Sequence, residues 1–134
     1  MSHWLLKTEP SAFSYAHLER QKRAVWDGVR NNQALIHLRA MRKGDLALIY
    51  HSGNEKAIVG IASVVADPYP DPRAGDPKIV VVDIAPQEKF REPVPLSVIK
   101  SVKEFASFEL VRNSRLSVMP VPAALWKRLL SISH

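Results

Sequence analysis

Residues 79–84, IVVVDI, constrain the fold of this chain more than any other segment. β-Branched side chains lose χ1 freedom in a helix and pack well on a pleated surface, so an almost unbroken run of them predicts a strand. A strand needs partners, and the chain supplies them. Residues 46–51 alternate, with Leu46, Leu48 and Tyr50 on one face and Ala47, Ile49 and His51 on the other. Residues 3–7, 57–66 and 116–119 read as further short strands. Helical signals fall between them. Ser14 is placed to cap a helix over 15–22, and Asn31 or Asn32 to cap one reaching Met41, where Ala34, Leu35, Leu38 and Met41 recur at helical spacing. Residues 93–100 turn into a short helix. Pro122 suits the first turn of a closing helix with an apolar stripe of Leu125, Trp126, Leu129 and Leu130. Turns are expected at Lys43, Gly44 and Asp45 and over 52–55. Four prolines make 67–77 a loop. Five or six short strands of mixed direction, with helices between them, predict an α+β domain whose sheet curls into a small barrel.

At 134 residues, with 46% hydrophobic and 24% charged residues, one domain over 1–134 with a real core is expected. There is no cysteine, which removes disulfides and thiolate metal sites and fits a reducing cytoplasm. The start MSHWLLKTEP lacks the pattern of a signal peptide, and no apolar run nears the roughly 20 residues that span a bilayer. The expectation is a cytoplasmic monomer without a membrane partner.

A net charge of +6 and a pI of about 9.8 favour polyanions, nucleic acid first among them. The basic residues are scattered, with small clusters at Arg20, Lys22 and Arg23 and at Arg42 and Lys43. Scatter argues for local phosphate contacts rather than a long wrapping stripe. Enzyme signatures such as G-x-S-x-G, H-E-x-x-H and a phosphate loop are absent. His3, His17, His37, His51 and His134 lack metal-ligand spacing, so neither a metal nor a cofactor is expected. Asp67, Asp71 and Asp76 share one loop, but the prolines among them suit a solvated loop better than a calcium site.

The chemistry concentrates in 23–34, RAVWDGVRNNQA. Trp26 alone would be core. Asp27, Arg30 and Asn31 beside it need partners, because an unpaired buried polar group costs about 1 to 3 kcal/mol. Either these residues brace one another or they face a pocket in which a flat aromatic and planar hydrogen-bonding groups meet a nucleobase. Asn31 is equally suited to a helix cap. Two further polar runs, YHSG at 50–53 and RNSRLSVMP at 112–120, have similar character.

In this order, WLLKTEP at 4–10, WDGVRN at 26–31, GDLALIYHS at 44–52, VGIASVV at 59–65, YPDP at 69–72 and SRLSVMP at 114–120 resemble the EVE domain, a member of the PUA-like superfamily. The resemblance covers nearly the full chain and implies a PUA-like β-pseudobarrel with surrounding helices. Relatives of the family include YTH domains, which hold a methylated adenine in an aromatic cage. It therefore implies a non-enzymatic reader of a modified base in DNA or RNA, flipped out or single-stranded. By this carry-over the base site is Trp26, Asp27, Arg30, Asn31, Tyr50, His51, Ser52, Glu9 and Ser117, with Lys7, Arg30 and Arg115 on phosphate. Trp26 would stack, and Asn31, Asp27 and Ser52 would read the polar edge. Arg115 is expected to point toward the WDGVRN segment, and Tyr50 to end a central strand that opens on the pocket. Two positions depart from the family pattern. Asn32 stands where an aromatic is frequent, and the strand beginning at Ile79 lacks a tryptophan. The rival readings are an enzyme acting on a nucleotide or modified base, with Asp27, Glu9 or His51 as acid or base, and a small-ligand domain using the same pocket.

Overall fold

The β-branched run proves to be the beginning of a much longer strand. In the computed structural model, which describes residues 1–133, the chain order is β1 (His3–Thr8), α1 (Tyr15–Gln21), β2 (Ala24–Trp26), α2 (Asn32–Ala40), β3 (Leu46–His51), β4 (Ala57–Val64), β5 (Tyr69–Pro70), β6 (Val80–Pro95), α3 (Leu96–Ser101), a 3-10 turn (Lys103–Phe105), α4 (Glu109–Arg112), β7 (Val118–Pro120) and α5 (Ala123–Ile132). His134 lies outside the described residues.

Strand β6 pairs with β5 at its start, with β2 through Val82–Ile84 and with β4 from Ile84 to Pro95, all antiparallel. The order across the sheet is β2-β6-β4-β3-β1-β7, with β1 and β3 parallel. Register shifts between Ile58 and Gly60 and between Ile61 and Ala62 bend the β4–β6 pair, as extra residues in a ladder do. The result is a curled half-barrel. Helix α2 packs against both β6 and β7, spanning the gap between the two sides of the sheet.

Strand β3 matches its expected bounds and lies in mid-sheet between β1 and β4. Its alternation does not leave a wet face, since both Leu48 and Ile49 are fully buried. Tyr15 covers the second face. Its ring lies on Gly60, the partner of Ile49, and its hydroxyl donates to the Ile61 carbonyl at 2.8 Å. Burial pushes the Tyr15 phenol up to about 12. Ser14 caps α1 as the sequence suggests, in a reciprocal box with His17.

Three features depart from expectation. Strands β2 and β5 are three and two residues long, too short to carry a periodic signal. Residues 93–95 belong to β6, not to the following helix. Asp45 is not a simple turn residue. It is 5% exposed and accepts from the Ser2 N–H at 3.0 Å, the Trp4 indole N–H at 2.9 Å and the Arg42 N–H at 2.9 Å. Burial pushes its carboxyl up, but those three donors and the N-terminal ammonium outweigh it and hold it below the ordinary carboxylate value.

Two outcomes are expected. A folded value below the unfolded one means that Asp45 stabilises the fold above the unfolded carboxylate range, and that this contribution disappears as pH falls through the depressed value. Asp45→Asn should cost about 1.5 to 3 kcal/mol at neutral pH and flatten the acid limb of stability measured by denaturant titration at several pH values. A Cβ on Gly60 would meet the Glu88 carbonyl at 2.7 Å and the Tyr15 ring at 2.9 Å. Gly60→Ala should therefore destabilise by about 1 to 3 kcal/mol, read as a lowered melting temperature.

Candidate nucleic-acid interface

Because the sheet curls, the end of β2 comes round to face the end of β1 and the approach to β7. A cavity of about 510 Å³ opens there, within the range that holds small ligands. Lys7, Thr8, Glu9, Ala12 and Phe13 line it from the β1 side, residues 25–30 from the β2 side, and Ser117 from the lead into β7. Six residues read from the sequence therefore converge: Lys7, Glu9, Trp26, Asp27, Arg30 and Ser117.

The pocket floor is apolar. Trp26 is 7% exposed and meets Phe13 edge to face, with ring centroids 5.9 Å apart. It is at once a core residue and a pocket residue. Phe13 stacks on His17 behind it. Sequence reasoning missed Phe13, which precedes the Ser14 cap of α1 and carries no periodic signal. It also missed Arg73, whose guanidinium donates to Asp27 Oδ2 at 3.1 Å from the 67–77 loop. Arg73, not Arg115, is the partner of Asp27; Arg115 is exposed and lines none of the described cavities.

The polar rim is partly committed. Glu9 Oε1 accepts from the Ser11 N–H and hydroxyl, and Glu9 Oε2 lies against Gly53. The Lys7 ammonium donates to the Ser114 carbonyl at 3.0 Å and sits 5.7 Å from the centre of the Tyr50 ring. Burial lowers its pKa, so an anion beside it would relieve a real cost. Tyr50 and Ser52 line a neighbouring depression of about 290 Å³ that also contains Lys7. Trp26 and Tyr50 thus open on adjoining hollows with Lys7 between them.

His51 and Asn31 are used inside the fold. His51 Nε2 accepts the Tyr15 N–H at 3.0 Å, which puts the ring proton on Nδ1, where it donates to Glu55 at 2.9 Å. Asn31 caps α2, its Oδ1 accepting the Ala34 N–H at 3.0 Å. Neither lines a described cavity. Nor do Asn32 and Ile79, so the two departures from the family pattern leave the aromatic wall to Trp26 and Phe13. The three loop aspartates hold backbone: Asp67 accepts from Lys43, Asp71 from Arg73 and Asp76 from Lys78. Among the described residues no group of three or more His, Asp or Glu side chains is placed to hold a metal ion, and no helix is long and apolar enough to cross a membrane.

A curled mixed half-barrel with helices packed round it and a pocket at its seam is the PUA-like architecture. The chain belongs to the EVE domain family, which it matches over residues 2–132. Rpa0253 from Rhodopseudomonas palustris is 41% identical, with a TM-score of 0.93 over 98% of this chain and 92% of that one. Human thymocyte nuclear protein 1 is 30% identical over 99% of this chain and 74% of its own length. A structure of human THYN1 in complex with 5-methylcytosine containing DNA superposes with a TM-score of 0.89 at 31% identity, covering 98% of this chain and 97% of that one. An ASCH protein from Zymomonas mobilis, at 11% identity and a TM-score of 0.63, shares the fold.

The cap geometry yields an expected outcome. Asn31→Ala should cost about 0.5 to 2 kcal/mol of stability, read as a lowered melting temperature.

Proposed function

We propose that this protein is a non-enzymatic module that takes one modified base of a nucleic acid into the cavity between β1 and β2, with 5-methylcytosine in DNA as the first candidate. The observation that carries this reading is the convergence of the WDGVR segment and the KTE end of β1 on a single cavity of about 510 Å³. Its floor is apolar and its rim holds Lys7 and Arg30. The human relative solved with 5-methylcytosine containing DNA supports this choice of ligand.

A base in a duplex cannot reach such a cavity while stacked, so it would enter flipped out or from a single strand. Phe13 and Trp26 would flank it. Asp27, Thr8 and Ser117 would meet its polar edge, and Lys7 and Arg30 the adjoining phosphates. Asn31 and His51 would serve at one remove, by fixing α2 and α1 behind the walls. Filling an apolar spot with one methyl is worth about 0.8 kcal/mol, a preference of about fourfold. Larger discrimination would have to come from the shape of the wall.

One observation favours an enzymatic reading: Glu9 and Asp27 line the same cavity. Each already has an oxygen engaged, by Ser11 and Arg73 respectively, which suits positioning better than proton transfer. Mass spectrometry of a methylated oligonucleotide after long incubation should return it unchanged.

The decisive measurement compares binding of one oligonucleotide with a central cytosine or 5-methylcytosine. A preference of about fourfold or more for the methylated form is expected. Trp26→Ala would remove a buried side chain and cost about 3 to 5 kcal/mol of stability, so Phe13→Ala and Trp26→Phe are the better probes. Both should reduce the preference while the protein stays folded. Equal binding of the two oligonucleotides, unaltered in either variant, would refute the assignment.

A further inference from the structure

The depression beside the base cavity does not end at Tyr50. Lys7 lines both the base cavity and the 290 Å³ hollow. Lys56, Leu96 and Lys100 line that hollow and a third one of about 360 Å³, which continues to Asn54, Pro95 and Ser97. Shared residues therefore join three hollows into one trough. Its course follows the sheet. Lys7 on β1 pairs in register with Tyr50 on β3. Lys56 immediately precedes β4, the neighbour of β3, and its carbonyl accepts the Leu96 N–H at 2.8 Å. Lys100 stands one helical turn beyond Leu96 on α3. Two strand spacings, roughly 10 Å, separate the β1 and β4 ends of this path.

Three cations occupy the trough, and none of them is in an ion pair among the described residues. Lys56 and Lys100 are exposed. The carboxylates that border the path are drawn elsewhere, Glu55 to His51 and Glu9 to Ser11. Lys56 also has a φ of 48°, a left-handed conformation that glycine adopts at lower cost. A row of ammonium groups without carboxylate partners, leading away from a base-sized cavity, has the chemistry of a sugar–phosphate track.

Resting on the base-binding reading, we propose that Lys7, Lys56 and Lys100 form a phosphate track that holds the strand on one side of the captured base, so that the footprint extends over several nucleotides rather than one. Lys7 would take the phosphate nearest the base, and Lys56 and Lys100 those further along. The hollow between them, with Tyr50 at its base, would receive the neighbouring nucleotide.

The test uses single-stranded DNA with one central 5-methylcytosine, its unmethylated counterpart and free 5-methyl-2′-deoxycytidine. The double variant Lys56→Gly, Lys100→Ala suits it, because glycine fits the φ at 56 and alanine favours the helix at 100. A melting curve verifies folding. The slope of log K against log salt should become shallower by about 1.4, at about 0.7 per phosphate contact on a single strand. Affinity should fall alike for both oligonucleotides, and nucleoside binding should stay unchanged. An unchanged salt slope, or an equal loss of nucleoside binding, would overturn the track. Should the wild type not distinguish the two oligonucleotides while the double variant still shows the shallower slope, the base-binding reading fails and the track stands. Absence of oligonucleotide binding by the wild type would reject both.

Discussion

Strand β6 is the constraint on which the rest of the structure depends. Over its sixteen residues it pairs with β5, β2 and β4 in turn, so one segment sets the curvature of the whole sheet. A flat ladder of that length would leave β2 far from β1. The register shifts in the β4–β6 pair bend it, and Gly60 lets the Glu88 backbone and the Tyr15 ring approach at the bend. The pocket is a consequence of incomplete closure: the two sides of the sheet come close, and α2 fills the remaining space without sealing the mouth.

Buried polar groups hold the ends of this curl. Asp45 ties the start of β1 to the turn before β3. His51 ties the end of β3 to the first N–H of α1. Asp83, the one polar residue in the β-branched run, accepts from Tyr69 at 2.6 Å and Arg23 at 2.8 Å, pinning β5 and the approach to β2 onto β6. Among the described residues no buried side-chain N or O atom lacks a partner. That matters because an unsatisfied group beside a bent ladder would cost as much as the bend can store. The cavity between β1 and β2 is thus bordered by elements tied by bonds that need no ligand, the condition for selecting a shape rather than adapting to one.

Charge is divided along the same lines. The acidic side chains near the cavity are engaged by protein partners, whereas Lys56 and Lys100 stand unpaired and Lys7 is held to a carbonyl. This arrangement separates two tasks on one surface. Shape at the seam would discriminate, and the lysine row would supply salt-dependent affinity that is indifferent to base identity.

Much of this was legible in the residues themselves. The alternation of 46–51, the Ser14 cap and the β-branched run predict their elements because the period of a strand and the chemistry of a cap are local properties. The polar mixture of 23–34 marks the cavity because such groups have no place in a core without partners. Other features were not legible. β2 and β5 exist by pairing with β6, not by any propensity of three or two residues, and β6 runs on past Ile84, where the β-branched run stops, through Pro93 and Pro95, which the sequence reads as the start of a helix. The Asn31 cap was readable, but the roles of Asp45 as buried acceptor and His51 as acceptor of the Tyr15 N–H depend on which donor comes near. So does the pairing of Asp27 with Arg73, 46 residues away. The sequence alone determined the family through the motifs it shares with it, and the α+β class and the residue types that would line a site, because these follow from pattern and composition. The tertiary structure decided which of those residues share a cavity and which are spent on holding it, because the curl of a sheet brings together side chains that no spacing along the chain connects.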